Sequence, residues 1–165
     1  MSATRKEPLP VAAPPEIEAR VRAVLAAVPD PEIPVLSVLD LGIVRVIELA
    51  PDGSVRVAVS PTYSGCPATS VIRRDIVRAL RQAGFEDATA YDQISPPWSS
   101  DWISAEGHRK LREYGIAPPS PAREVECPRC GSISTRRLSE FGSTPCKALY
   151  RCESCLEPFD RFKCH

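Results

Sequence analysis

The chain has 165 residues, the size of one ordinary domain or of a small domain with an appendage. Its 21 basic and 21 acidic side chains cancel, which excludes the broad basic field of a dedicated nucleic-acid binder. Hydrophobic residues make up 43%, enough for a real core, yet no run approaches the roughly 18 apolar residues of a membrane span.

The opening MSATRKEPLPVAAPP lacks the apolar stretch of a signal peptide, so the expected compartment is the cytoplasm. Thiols stay reduced there, and clustered cysteines then point to metal binding or redox chemistry before disulfides. Residues 1–13, rich in Pro and Ala, read as a disordered lead. Ile17, Val21, Val24, Leu25 and Val28 recur at helical spacing and predict an amphipathic helix stopped by Pro29 and Pro31.

After the loop DPEIPVLSVLDLG, the runs IVRVIEL and SVRVAVS flank the turn signal APDG and predict an antiparallel hairpin. A second helix is expected after PTYSGCP, with Ile72, Ile76, Ala79, Leu80 and Ala83 as its stripe and Gly84 as its stop. DATAYDQI reads as a third strand. DWISAEGHRKLREYG reads as a third helix, with Ser100 as its cap and Asp101 in its first turn. APPSPA reads as a stiff, extended linker. The expected fold class is a small two-layer α/β (α+β) domain, helix–hairpin–helix–strand, over residues 14–95. A helix and Pro-rich linker follow over 96–122, and a zinc-ribbon β module over 123–165.

Six of the seven cysteines lie in the last forty residues or so. Cys127 and Cys130 form CPRC, and Cys152 and Cys155 form CESC. Each CxxC brings two sulfurs together on one tight turn, and two such turns supply the corners of a tetrahedron. The intervening sequence alternates in strand fashion. A module this small buries little core, so a metal would supply its folding free energy. Zinc suits a closed site of this kind, and a rubredoxin-like iron site has the same ligands. Cys146 and Cys164 are surplus to that set. They read either as small buried hydrophobes or as thiols for a second metal or a partner. His165 reads as solvated and His108 as a surface residue.

Cys66 stands alone in TYSGCPAT. Pro67 suits the first position of a helix, which would put Cys66 at the N-cap, its sulfur facing free backbone N–H groups. That setting favours thiolate, the form that attacks and binds metals. No His or acid is placed beside it by sequence, so a hydrolase is disfavoured and metal handling is the better reading. Asp30 and Glu32 in DPEIP read as carboxylates that assist a metal or as a Pro-bounded turn with a capping acid. Asp40 in LDLG carries the same two readings.

DPEIPVLSVLDLGIV, the hairpin and TYSGCPAT together resemble the small domain of SufT-type iron–sulfur assembly proteins. The remainder, from PPWSSDWISAEGHRKLREYGIAPP through CPRCGS to SEFGSTPCKALYRCESCLEPFDRFKCH, resembles the PaaD (PaaJ) family of phenylacetate degradation. The resemblance implies an accessory or maturation role in a phenylacetyl-CoA epoxidase system, assisting iron–sulfur or di-iron centre assembly, without catalysis by the chain itself. Its implied clients are the iron–sulfur reductase component or the di-iron subunit. Carried over by position, Cys127, Cys130, Cys152 and Cys155 match the metal-binding pairs, Cys66 the GCP cysteine, and Asp30 and Glu32 the DPE turn. A single Cys66 per chain suggests a ligand shared between two chains or with a partner. An electron-transfer or structural subunit of the oxygenase is the alternative. A nucleic-acid-binding ribbon ranks third, because Glu140, Glu153, Glu157 and Asp160 offset its basic residues.

Overall fold

A computed structural model describes residues 10–165. Its elements run β1 (Val11–Ala12), α1 (Pro15–Leu25), β2 (Val44–Leu49), β3 (Val55–Val59), α2 (Ala68–Gln82) and β4 (Thr89–Asp92). A 3₁₀ turn at Ser100–Trp102 precedes α3 (Ala105–Tyr114), β5 (Ile116–Ala117), β6 (Thr135–Ser139), β7 (Lys147–Cys152) and β8 (Pro158–Phe162). Two four-stranded sheets result, ordered β1-β2-β3-β4 and β5-β8-β7-β6.

The first sheet grows from the expected hairpin. The Asp52 carboxylate accepts from the amide and hydroxyl of Ser54, closing the turn, and β2 and β3 pair antiparallel with a bulge near Val44. α2 carries the chain across so that β4 lies parallel to β3. Ile72, Ile76 and Leu80 of α2 are buried, as are Val21 and Leu25 of α1. Gly84, at φ +94, ends α2 with two bonds: its own N–H to Arg81 O and the Phe85 N–H to Leu80 O.

Three expectations change here. The stretch expected to be a disordered lead is ordered from Val11, which pairs with Leu49, and the Ala13 N–H donates to Ile47 O at 2.9 Å; residues 1–9 lie outside the described residues. The third helix is capped by Ser104, whose hydroxyl accepts from Gly107 N–H at 2.9 Å, while Ser100 belongs to the 3₁₀ turn. The linker is not free-standing at its start: Ile116 and Ala117 pair parallel with Asp160 and Arg161.

One apolar core joins the two sheets. Cys146 and Phe162 of the ribbon are buried in the same cluster as Val21, Ile76 and Trp98. Trp98 packs against Phe162 with ring centroids 5.9 Å apart, and its indole N–H donates to Leu41 O at 2.9 Å. Within the ribbon, a second small cluster gathers Ala117, Val125, Cys127, Cys152 and Phe159.

Candidate metal centre

The two CxxC turns are built alike. In the first, the Gly131 N–H donates to Cys127 O at 2.9 Å, and Gly131 has φ +76. In the second, the amides of Ser154 and Cys155 both donate to Cys152 Sγ at 3.4 Å, and Leu156 has φ +65. The residue after each pair is thus left-handed, which curls the turn so that both sulfurs face inward.

β7, ending at Cys152, carries the second turn to the first. Cys127 Sγ lies 3.8 Å from Cys155 Sγ, and Cys130 Sγ lies 3.5 Å from Cys152 Sγ. All four sulfurs fall within 4.8 Å of one another, and no other group of three or more donors does so among the described residues. A tetrahedral ion with metal–sulfur bonds of about 2.3 Å spaces its sulfurs about 3.8 Å apart. The four residues therefore fit such an ion.

The electrostatics agree. Backbone N–H groups of Cys155 and Ser154 bring the Cys152 thiol down to about 6. The Glu157 amide pulls Cys155 the same way, but burial and the sulfurs of Cys152, Cys130 and Cys127 push it up to about 12. Four sulfurs this close cannot all ionise unless a cation takes the place of their protons.

The other candidates gather elsewhere. Asp30, Glu32 and Cys66 line one small cavity of about 20 Å³, with Ile43, Val59 and Thr69 among its walls. That is room for one water-sized occupant. The Asp30 carboxylate caps its own turn, with Oδ1 accepting from the amides of Glu32 at 2.9 Å and Ile33 at 2.7 Å. Burial raises Asp30, and burial with the Asp30 charge raises Glu32.

Cys66 is half-buried and sits one residue before the N-cap of α2, not at it as expected. Pro67 takes that place with helical φ and ψ, and among the described residues no α2 amide donates to Cys66 Sγ. The backbone makes the turn instead: Cys66 N–H donates to Tyr63 O, and Thr69 N–H to Cys66 O, both at 3.2 Å. Gly65, at φ +81, permits that turn. Tyr63 is a site residue that sequence reasoning missed. Burial and then the Cys66 thiol push its hydroxyl up to about 12.

Residues 114–163 match the PaaD zinc beta ribbon domain family, and residues 18–90 match the iron–sulfur cluster assembly protein family. A protein of Escherichia coli (strain K12), named for the 1,2-phenylacetyl-CoA epoxidase of which it is given as a component, is 48% identical over 92% of this chain and 95% of its own length. The chain belongs to the PaaD family. Over its first part it is also 31% identical to an Fe-S protein maturation auxiliary factor of Porphyromonas gingivalis (strain ATCC BAA-308 / W83), covering 58% of this chain and 91% of that one. A domain-of-unknown-function DUF59 structure from Bacillus anthracis superposes with a TM-score of 0.54 at 26% identity, over 58% of this chain and 92% of that chain.

The remaining candidates of this PaaD-family chain have plain structural places. Asp40 accepts from Lys110, from the amide and hydroxyl of Ser37, and from Ser104, so it braces α3, and it is not among the residues that line the Cys66 cavity. Cys146 is buried in the core, whereas Cys164 is exposed and donates to Ser120 O at 3.2 Å, contrary to the buried reading. His165 is exposed but held: its ring packs on Trp98, and its backbone bonds to Ser100. His108 is half-buried on the cleft between α3 and the ribbon. No helix among the described residues is long and apolar enough to cross a membrane.

Proposed function

We propose that this chain is an accessory maturation factor of a phenylacetyl-CoA epoxidase, handling iron or an iron–sulfur cluster as cargo at Cys66. The observation that carries this reading is the separation of two unlike donor sets. Four converged sulfurs in the ribbon suit a resident ion, and a looser set of one thiol and two carboxylates lines a small cavity in the first layer.

The ribbon holds zinc through Cys127, Cys130, Cys152 and Cys155. Zinc has no redox chemistry and favours a closed four-sulfur site, so it acts as a structural staple. Cys66 supplies the soft ligand that iron needs, and Asp30 and Glu32 supply harder oxygen donors suited to ferrous iron. Such a mixed and incompletely converged set holds cargo weakly, which suits a donor that must release it.

The relatives support the assignment by name: one belongs to the epoxidase and another to Fe-S protein maturation. The client is the iron–sulfur reductase component of the epoxidase, with the di-iron subunit as the second choice. Residues 14–95 serve as the cargo unit and 123–165 as the ribbon, working in the cytoplasm. One Cys66 per chain leaves further cluster ligands to come from the client or from a second copy.

The test is transfer. Protein loaded anaerobically with iron and sulfide is mixed with the metal-free reductase component, and the reductase spectrum is followed. Cluster appears in the reductase with the wild type and not with Cys66→Ser. Equal transfer by both forms overturns the proposal.

A further inference from the structure

Helix α2 carries four arginines on its outer side. Arg74, Arg78 and Arg81 are exposed and Arg73 is half-buried. Their spacing puts them on one helical face with Val77. With Val77 and Ala90 they line a groove of about 490 Å³ between α2 and β4, and no carboxylate is among its lining residues.

The positive charge there is only partly offset. Asp75 Oδ1 lies 3.1 Å from Arg78 and 3.5 Å from Arg74, and Asp92 Oδ1 lies 3.3 Å from Arg73, whereas Arg81 has no ion pair among the described residues. Two carboxylates thus face four guanidiniums, in a chain whose formal net charge is zero. Such a concentration of one sign selects an anionic partner.

The other bank of the groove is an open sheet edge. β4 lies at the end of its sheet and pairs with β3 alone. The Gln93 N–H donates to Val59 O at 2.8 Å, so strand alternation turns the backbone groups of Tyr91 toward β3 and those of Ala90 and Asp92 outward. Among the described residues, no hydrogen bond from outside the sheet reaches those outward groups. An edge of this kind is a template for one more strand. A strand added there alternates its side chains, and every second one falls on the face that carries α2.

Resting on the reading of this chain as a maturation factor, we propose that the α2–β4 groove is where the client protein docks, through an extended segment with acidic side chains at every second position. The segment's backbone pairs with Ala90 and Asp92, and its carboxylates meet Arg74, Arg78 and Arg81. Arginine suits this role because its planar fork holds a carboxylate through two parallel hydrogen bonds. A nucleic acid offers the charge but has no peptide backbone to pair with a strand edge, which favours a protein. Docking there brings the client beside the cargo. Thr69 and Ile72 line the Cys66 cavity, while Ser70 and Arg73, on the adjacent face of the same helix, line the groove.

The experiment uses zinc-loaded full-length protein free of iron, titrated in turn with the purified reductase component, the di-iron subunit and a single-stranded oligonucleotide. One of the two epoxidase components binds the wild type, more weakly as salt rises. In Arg74→Glu/Arg81→Glu its affinity drops at least about tenfold, as expected for reversed charges at an interface. Both positions are exposed, and an unchanged unfolding midpoint checks that the variant is folded. The second measurement needs no substitution: in the complex, amide exchange at Ala90 and Asp92 slows at least about tenfold. Equal binding by the charge-reversed protein, unchanged exchange at β4, or a wild type that binds neither component or only the oligonucleotide overturns the inference. Iron and sulfide loading is measured separately on the same proteins. If docking ignores the charge reversal while iron still loads at Cys66, this inference alone fails. If docking behaves as expected but the wild type never holds iron, the cargo reading alone fails.

Discussion

The Lys110 ammonium sits 2.8 Å from Asp40 Oδ2, and this contact pins α3 to the turn that precedes β2. The packing there is tight. A Cβ on Gly107 would stand 2.8 Å from Asp40 O, and the Ser104 N–H donates to the same carbonyl at 2.8 Å. Although its burial opposes ionisation, Lys110 and the two Ser37 donors together hold the Asp40 carboxyl below its usual range.

A folded-state pKa that is lowered stabilises the fold above the unfolded value, about 3.9, and that contribution is lost as pH falls through the folded value. Asp40→Asn should therefore cost about 1–3 kcal/mol near neutrality, because it removes the charge shared by several donors. The gap between wild type and variant should close toward pH 3, roughly a unit below the unfolded carboxyl value. Urea unfolding of both proteins across that range measures it. Asp30 and Glu32 have raised pKa values and act in the opposite sense, but they are common to both proteins and drop out of the comparison.

The paired left-handed residues give a second prediction. A Cβ at Gly131 would meet only a Glu126 carboxylate oxygen at 3.8 Å, so space is not the constraint; the positive φ is. Gly131→Ala should cost about 1–2 kcal/mol, the strain of a left-handed residue with a side chain. Leu156→Gly relieves the same strain at an exposed position and should leave stability equal or slightly higher despite its more flexible unfolded chain. Zinc retention against a chelator ranks the three proteins.

Removing the ribbon metal should loosen one sheet selectively. The ribbon's own cluster is a handful of residues, too few to hold β6, β7 and β8 together. After chelation, amide exchange in those strands should speed up at least about tenfold, while β2 and β3 keep their protection. Uniform loss across both sheets would show that the shared core around Trp98 and Phe162 couples them into one unit.

That shared core can be tested directly. Phe162 is 1% exposed and packs on Trp98, so Phe162→Ala should cost about 3–5 kcal/mol. Chemical unfolding gives the value. A cost under about 1 kcal/mol would mean that the two sheets stand independently.

Much of this was legible in the chain because the signals are local. The APDG turn between β-branched runs gives the hairpin, the stripe Ile72, Ile76 and Leu80 gives α2, and two CxxC pairs give the ribbon. What escaped depends on partners far away. Val11–Ala12 is two residues of strand whose only reason to be ordered is a distant edge, at Glu48 and Leu49. Ser99, Ser100 and Ser104 all offer capping hydroxyls, and only the 3₁₀ turn decides that Ser104 starts α3. The burial of Cys146 and Phe162 in one cluster with Val21 and Ile76 joins opposite ends of the sequence. It follows from how the ribbon packs, which no spacing rule encodes.

Cargo carriage at Cys66 is decided most directly by anaerobic purification of the wild type and Cys66→Ser, followed by zinc, iron and sulfide analysis of both. Stoichiometric zinc in both proteins, with iron and sulfide in the wild type alone, is the predicted result. Iron and sulfide at equal levels in the two proteins, or in neither after reconstitution, would contradict it.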